Sequence, residues 1–135
     1  MNMSMNRTLW KLPVPSTAII RGPFFKVLPK RQCEISFSTE AENGGEQMTT
    51  LLFEGVEAFK CTYLTSLGSI DHQLFREAYA NLISLEDSLS LAEVRRSYRQ
   101  YHARMPVPAK EPQHLMMCFD DGPCYEIICQ DFKPL

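Results

Sequence analysis

No run of apolar residues in this 135-residue chain is long enough to cross a membrane. Its longest uncharged stretches, such as "LPVPSTAII" and "TYLTSLGSI", fall far short of the roughly 18 apolar residues that a spanning helix needs. The opening "MNMSMNRTLWKLPVP" lacks the apolar core and small-residue cleavage site of a secretory leader, so a cytoplasmic protein is expected. An excess of one charge is missing too. Fourteen Lys and Arg stand against 16 Asp and Glu, a formal charge of -2 that gives no general attraction to nucleic acid or to anionic lipid. The five cysteines are odd in number and include no C-x-x-C pair, which fits free thiols in a reducing compartment. There is no G-x-S-x-G, no glycine-rich phosphate loop and no H-E-x-x-H, so no catalytic residue, metal or cofactor is predicted.

What is present reads as one folded unit. Hydrophobic residues at 44% and charged residues at 22% are near the globular average, and the length suits a single domain. Residues 1–8 hold three methionines among polar spacers and are predicted to be a flexible tail, with 9–135 forming the domain. "STAIIRGPFFKVL" reads as a strand bulged at Gly22-Pro23. "CEISFS" alternates, with Cys33, Ile35 and Phe37 on one face. A polar loop around Gly44-Gly45 leads to a second extended run from Met48 to Leu64, bent at Gly55.

After Gly68 the period changes. Leu74, Ala78 and Leu82, with Phe75 and Tyr79 beside them, fall at helical spacing, which predicts a helix over 71–80 followed by a short strand in "NLISLE". Ser90 and Glu93 match a capping box at the head of a second helix that ends near Arg104, before Pro106 and Pro108. Leu91, Val94, Tyr98 and Tyr101 are its predicted inward side. The closing "HLMMCFDDGPCYEIICQDF" reads as a hairpin. A two-residue turn at Asp121-Gly122 would set Glu126 among core residues. A three-residue loop from Asp120 to Gly122 instead aligns Leu115, Met117 and Phe119 with Tyr125, Ile127 and Cys129. The expected fold is α+β: a curved antiparallel sheet of about five to six strands packed against one or two helices, closing on that C-terminal hairpin.

Two surfaces of opposite charge are candidate binding sites. "RRSYRQYHAR" places Arg95, Arg99 and His102 at i, i+4 and i+7 on a helix, with Arg96 beside them. Four arginines make few phosphate contacts, and the tyrosines are assigned inward, so a carboxylate-bearing protein fits better than nucleic acid. Asp120 and Asp121, with Glu126 and Asp131, form an acidic end of the hairpin, although Asp is favoured in turns for local reasons alone. Cys118 and Cys124 face each other across the predicted hairpin and form a candidate redox pair. His114 and Cys118 lie too far apart along a strand to share a metal ion. The function these features imply is a non-enzymatic interaction domain, of inhibitor or immunity type, that binds a protein partner or a second copy of itself. The alternative is a small-molecule or enzymatic pocket between sheet and helices, with Phe37, Phe59 and Tyr63 among the aromatics that would line it. There His102, His114 and Cys124 would be the first residues to mutate.

Overall fold

The structure, a computed structural model, describes residues 6–63, 72–86, 88–104, 110–120 and 122–135. Nine strands and two helices run in the order β1 (Arg7–Lys11), β2 (Arg21–Leu28), β3 (Gln32–Glu40), β4 (Glu46–Glu54), β5 (Ala58–Tyr63), α1 (His72–Ala78), β6 (Asn81–Ser84), α2 (Leu89–His102), β7 (Gln113–Cys118), β8 (Pro123–Cys129) and β9 (Asp131–Pro134). They form two antiparallel sheets rather than one. Strand order is β1-β6-β7-β8-β5 in the larger sheet and β2-β3-β4-β9 in the smaller. The fold is mainly β, within the α+β class.

The second sheet arises because the chain changes sheets twice at one corner. Gly55, at φ +65°, turns β4 into β5, and Gln130 turns β8 into β9. The N–H of Gln130 donates to the carbonyls of Glu54 and Gly55, which ties the two crossings together. The run from Met48 to Leu64 therefore does bend at its glycine, as expected, but its halves belong to different sheets; Leu64 itself lies outside the described residues.

This arrangement moves the core. Cys33, Ile35, Phe37, Leu51 and Phe53 of the smaller sheet pack against Leu82, Leu115, Met117, Tyr125, Ile127 and Cys129 of the larger, with Phe119 at the hairpin loop. The alternation read in "CEISFS" thus points its apolar residues at another sheet and not at a helix. The helices lie over the opposite face of the larger sheet, where a second cluster gathers Ala78, Ile83, Leu85, Met116, Cys118 and Cys124 with Leu74 and Phe75 of α1. Strands β6, β7 and β8 are buried on both faces, which is why their sequences read as near-continuous apolar runs.

Two local readings need correction. Arg7 and Thr8, inside the stretch read as a tail, pair with Ser84 and Ile83, while residues 1–5 lie outside the described residues. The chain also does not close on its hairpin. After β8 it adds β9, whose Phe132 pairs with Phe53 in the other sheet.

The β7–β8 register sets Met117 opposite Tyr125, Leu115 opposite Ile127 and Cys118 opposite Cys124. Phe119 accepts from the N–H of Gly122 and donates to the carbonyl of Pro123, the pattern of a three-residue loop. Gly22, where β2 is bulged, sits at φ +102° with a would-be Cβ only 2.9 Å from the Ser36 carbonyl oxygen. Only glycine fits that approach.

Candidate functional site

Helix α2 begins at Ser88, not at Ser90. Ser88 is extended, at φ -133° and ψ 122°, and its Oγ accepts from the N–H of Leu91 at 3.1 Å. Ser90 lies inside the first turn, so the Ser90–Glu93 pair is not the cap. The Ser88 hydroxyl has a second partner, Nδ1 of His114, at 2.6 Å. Nε2 of His114 in turn meets Oε1 of Glu126 at 3.0 Å, and Lys60 Nζ lies 3.2 Å from the other Glu126 oxygen. A chain Ser88–His114–Glu126–Lys60 thus runs from the head of α2, across β7 and β8, to the edge strand β5. His114 is buried, and the Glu126 side chain is 15% exposed. The His114 hydrogen bond draws the Glu126 carboxyl below its ordinary range, Lys60 pulls the same way, and burial opposes both.

Serine, histidine and glutamate in that order resemble a nucleophile, its base and an orienting acid. The surroundings weigh against chemistry. The adjacent cavity, about 110 Å³, is walled by Ala58, Phe59, Lys60, Ser90, His114, Glu126 and Ile128, without Ser88. The Ser88 oxygen is engaged by the helix N-terminus on one side and the imidazole on the other. The chain is a clip that fastens α2 to the sheet.

Further along α2 the basic face divides. Arg99 forks onto Glu111, with Nη2 at 3.0 Å from Oε2 and Nε in contact with Oε1. Arg95 donates from Nε to the Pro112 carbonyl at 3.1 Å and approaches Glu111 at 3.9 Å. The pairing holds the Arg99 guanidinium above its ordinary pKa and the Glu111 carboxyl below its own. Two of the proposed docking arginines are therefore already engaged by their own chain. Arg96 and Arg104 are exposed and have no carboxylate partner among the described residues.

Of the predicted inward side Leu91, Val94, Tyr98 and Tyr101, Leu91 and Tyr98 are buried and Val94 half-buried, but Tyr101 turns outward and His102 lies inward in its place. Tyr101 is 75% exposed, while the His102 ring lies tilted against Tyr98, its centroid 4.2 Å away. A step of seven residues is nearly two whole turns and keeps 91 and 98 in line, whereas three residues beyond 98 fall about 60° short of a turn. Tyr101 and His102 border an open groove of about 590 Å³, whose walls also include Val94, Ser97, Tyr98 and Glu93 of α2 and the ion-paired Arg31 and Glu57 opposite.

The other assigned residues lie apart. Asp120 is exposed at the far end of β7, its N–H donating to Ser16 Oγ; Asp121 lies outside the described residues. Asp120 lies seven residue steps from Gln113, which sits beside α2, roughly 23 Å of extended chain, so the acidic tip and the basic helix are separate surfaces. Glu126, read as part of that acidic end, instead sits mid-strand under α2. Phe37 is fully buried between the sheets against Trp10 and Phe119. Phe59 and Tyr63 are half-exposed on edge strand β5, with Phe59 touching Phe25, so the three aromatics do not converge.

Sequence reasoning missed Ser88, Glu111 and the role of Glu126. One signal was present: a lone carboxylate inside "CYEIIC" must find a partner once that strand is buried. Among the described residues no group of three His, Cys, Asp or Glu side chains is placed to hold a metal ion, and no helix is long and apolar enough to cross a membrane. Comparison with protein-family models, curated proteins and solved structures finds no match to this chain.

Proposed function

We propose that this chain is a non-enzymatic, cytosolic protein-interaction domain of inhibitor or immunity type, and that it docks its partner on the outer face of α2. The observation that carries this reading is the exposure of Tyr101 at the lip of the groove, with Arg104, exposed and without a carboxylate partner among the described residues, just past the end of the helix. An exposed tyrosine at the lip of a groove, with an exposed arginine close by in sequence at Arg104, has the composition of an interface hot spot. The partner surface that fits is a polypeptide presenting an apolar side chain to the groove and a carboxylate to Arg104 at the end of the helix. Arg95 and Arg99, engaged with Glu111, act behind that surface by holding the helix in place.

The test is a photo-reactive residue at position 101 in the intact protein, in its host cells, against the same residue at Met48, which is 59% exposed on the smaller sheet. A defined polypeptide crosslinked from 101 and not from 48, and lost on Arg104→Glu, is the expected result. Equal labelling from both positions, or labelling that survives the charge reversal, would refute the surface.

A further inference from the structure

The helix-covered face of the larger sheet holds two thiols in an arrangement unlike that of the other cysteines. Cys118 and Cys124 are direct cross-strand partners. The next rung, Phe119 and Pro123, carries a ladder hydrogen bond, N–H of Phe119 to O of Pro123 at 3.2 Å. In an antiparallel pair the two kinds of rung alternate, so Cys118 and Cys124 occupy a non-hydrogen-bonded rung, where Cα atoms approach to about 4.5 Å. That lies inside the roughly 4.4–6.8 Å window for a disulfide. Both side chains leave the same face of the sheet, and both are buried. Both are free thiols.

We propose that Cys118 and Cys124 form a site of reversible oxidation that closes to an intramolecular cross-strand disulfide when a peroxide reaches it. Cys124 reacts first. Its thiol is held below the ordinary range by the hydrogen bond from Cys118, while the same contact and burial push Cys118 up. The Cys124 thiolate attacks one peroxide oxygen, the O–O bond breaks, hydroxide leaves, and a sulfenic acid forms. The Cys118 sulfur then attacks the Cys124 sulfur, the S–O bond breaks, and the oxygen departs as water with the Cys118 proton. Two thiols lose two electrons and one hydrogen peroxide becomes two waters.

The pair lies beneath Leu74, Phe75 and Ala78, so access requires the seven-residue helix α1 to lift. Its anchors there include the Ala80 N–H on the Cys118 carbonyl, at 2.9 Å, and the bridge between Tyr79 and Cys118. Oxidation is therefore slower than at the exposed Cys61, and the finished bond pins the β7–β8 hairpin under the helix that must open to admit the oxidant.

The experiment treats the native Cys61→Ser protein with hydrogen peroxide, quenches by alkylation in denaturant, and reads intact mass and linked peptides. The expected result is a monomer lighter by two hydrogens, with residues 118 and 124 joined, restored by a thiol reductant and absent in Cys124→Ala. The bond mapped in Cys61→Ser is decisive even where Cys124→Ala fails to fold. No mass loss, sulfinic or sulfonic products alone, or a bond between Cys33 and Cys129, whose thiols also interact across the core, would overturn the proposal.

Discussion

Removing the hydroxyl of Ser88 tests the clip that fastens α2 to the sheet. Ser88→Ala takes away the helix cap, a loss of about 1 kcal/mol. It also strips Nδ1 of the buried His114 of its partner, and an orphaned buried polar atom costs about 1–3 kcal/mol. Together the change is expected to destabilise by about 2–4 kcal/mol, a fall in Tm of roughly 4 °C per kcal/mol for a chain of this size. Leu89→Ala, one residue on and 86% exposed, is the control and is expected to stay within about 0.5 kcal/mol of the parent. Denaturant titration of both variants gives the comparison. A double-mutant cycle locates the loss: in a His114→Leu background no imidazole remains to be orphaned, so Ser88→Ala is expected to cost about 1 kcal/mol, the cap alone. A Ser88→Ala penalty that is unchanged in that background, or no larger than that of Leu89→Ala, would refute the coupling between cap and histidine.

Glu126 should govern the acid limb of stability. Its folded carboxyl titrates below its unfolded value, so its contribution is complete above about pH 4.3 and drains away as pH falls through the lower folded value. Glu126→Gln is expected to lower stability at pH 7 by about 1.5–3 kcal/mol and to flatten the decline on acidification, as seen in thermal melts from pH 7 to pH 3. Gly22→Ala is expected to cost about 1–3 kcal/mol or more, since a side chain at φ +102° is strained and would press on the Ser36 carbonyl; urea unfolding measures it. Thr39→Val should act in the other direction. The Thr39 Oγ1 is buried with no hydrogen-bond partner among the described residues, so an isosteric methyl is expected to stabilise by about 1 kcal/mol or more, again by urea unfolding.

Local periodicity carried the elements well. Alternation placed Cys33, Ile35 and Phe37 on one face, and the argument against burying Glu126 among core residues picked the register that pairs Cys118 with Cys124. Pairings across sequence distance were invisible. Ser88 and His114 are 26 residues apart, and Arg99 and Glu111 are 12 apart across a stretch with no readable geometry. The second sheet was missed for a related reason. Gly55 was legible as a bend, but a bend within a sheet and a crossing between sheets leave the same mark in sequence; only the Gln130 contact beneath it separates them. Tyr101 went wrong by a smaller margin, because a helical stripe read in steps of three and four drifts around the axis, and one residue decides which ring faces inward.

The clip bears on the proposal that α2 carries the docking surface. The helix is tied at its first residue by Ser88 to His114, in its middle by Arg95 to Pro112 and Tyr98 to Gln130, and near its end by Arg99 to Glu111. All four ties leave from the sheet-facing row or the side toward residues 110–112, which leaves the row of Tyr101 and the groove fixed in place and unspent. A partner that docks there orders little that is not already ordered, and the entropy cost of association falls accordingly. The exposed edge β5 offers the opposite case. Its open backbone and half-exposed Phe59 and Tyr63 invite strand pairing, but the Lys60 at its centre puts a charge where a second strand would approach, the usual guard on a free edge. Lys60 is also held to Glu126 at 3.2 Å, so the residue that guards the edge is the last link of the chain that fastens the helix. Replacing it would loosen both at once, freeing the edge for strand pairing while weakening the anchor of the proposed docking surface.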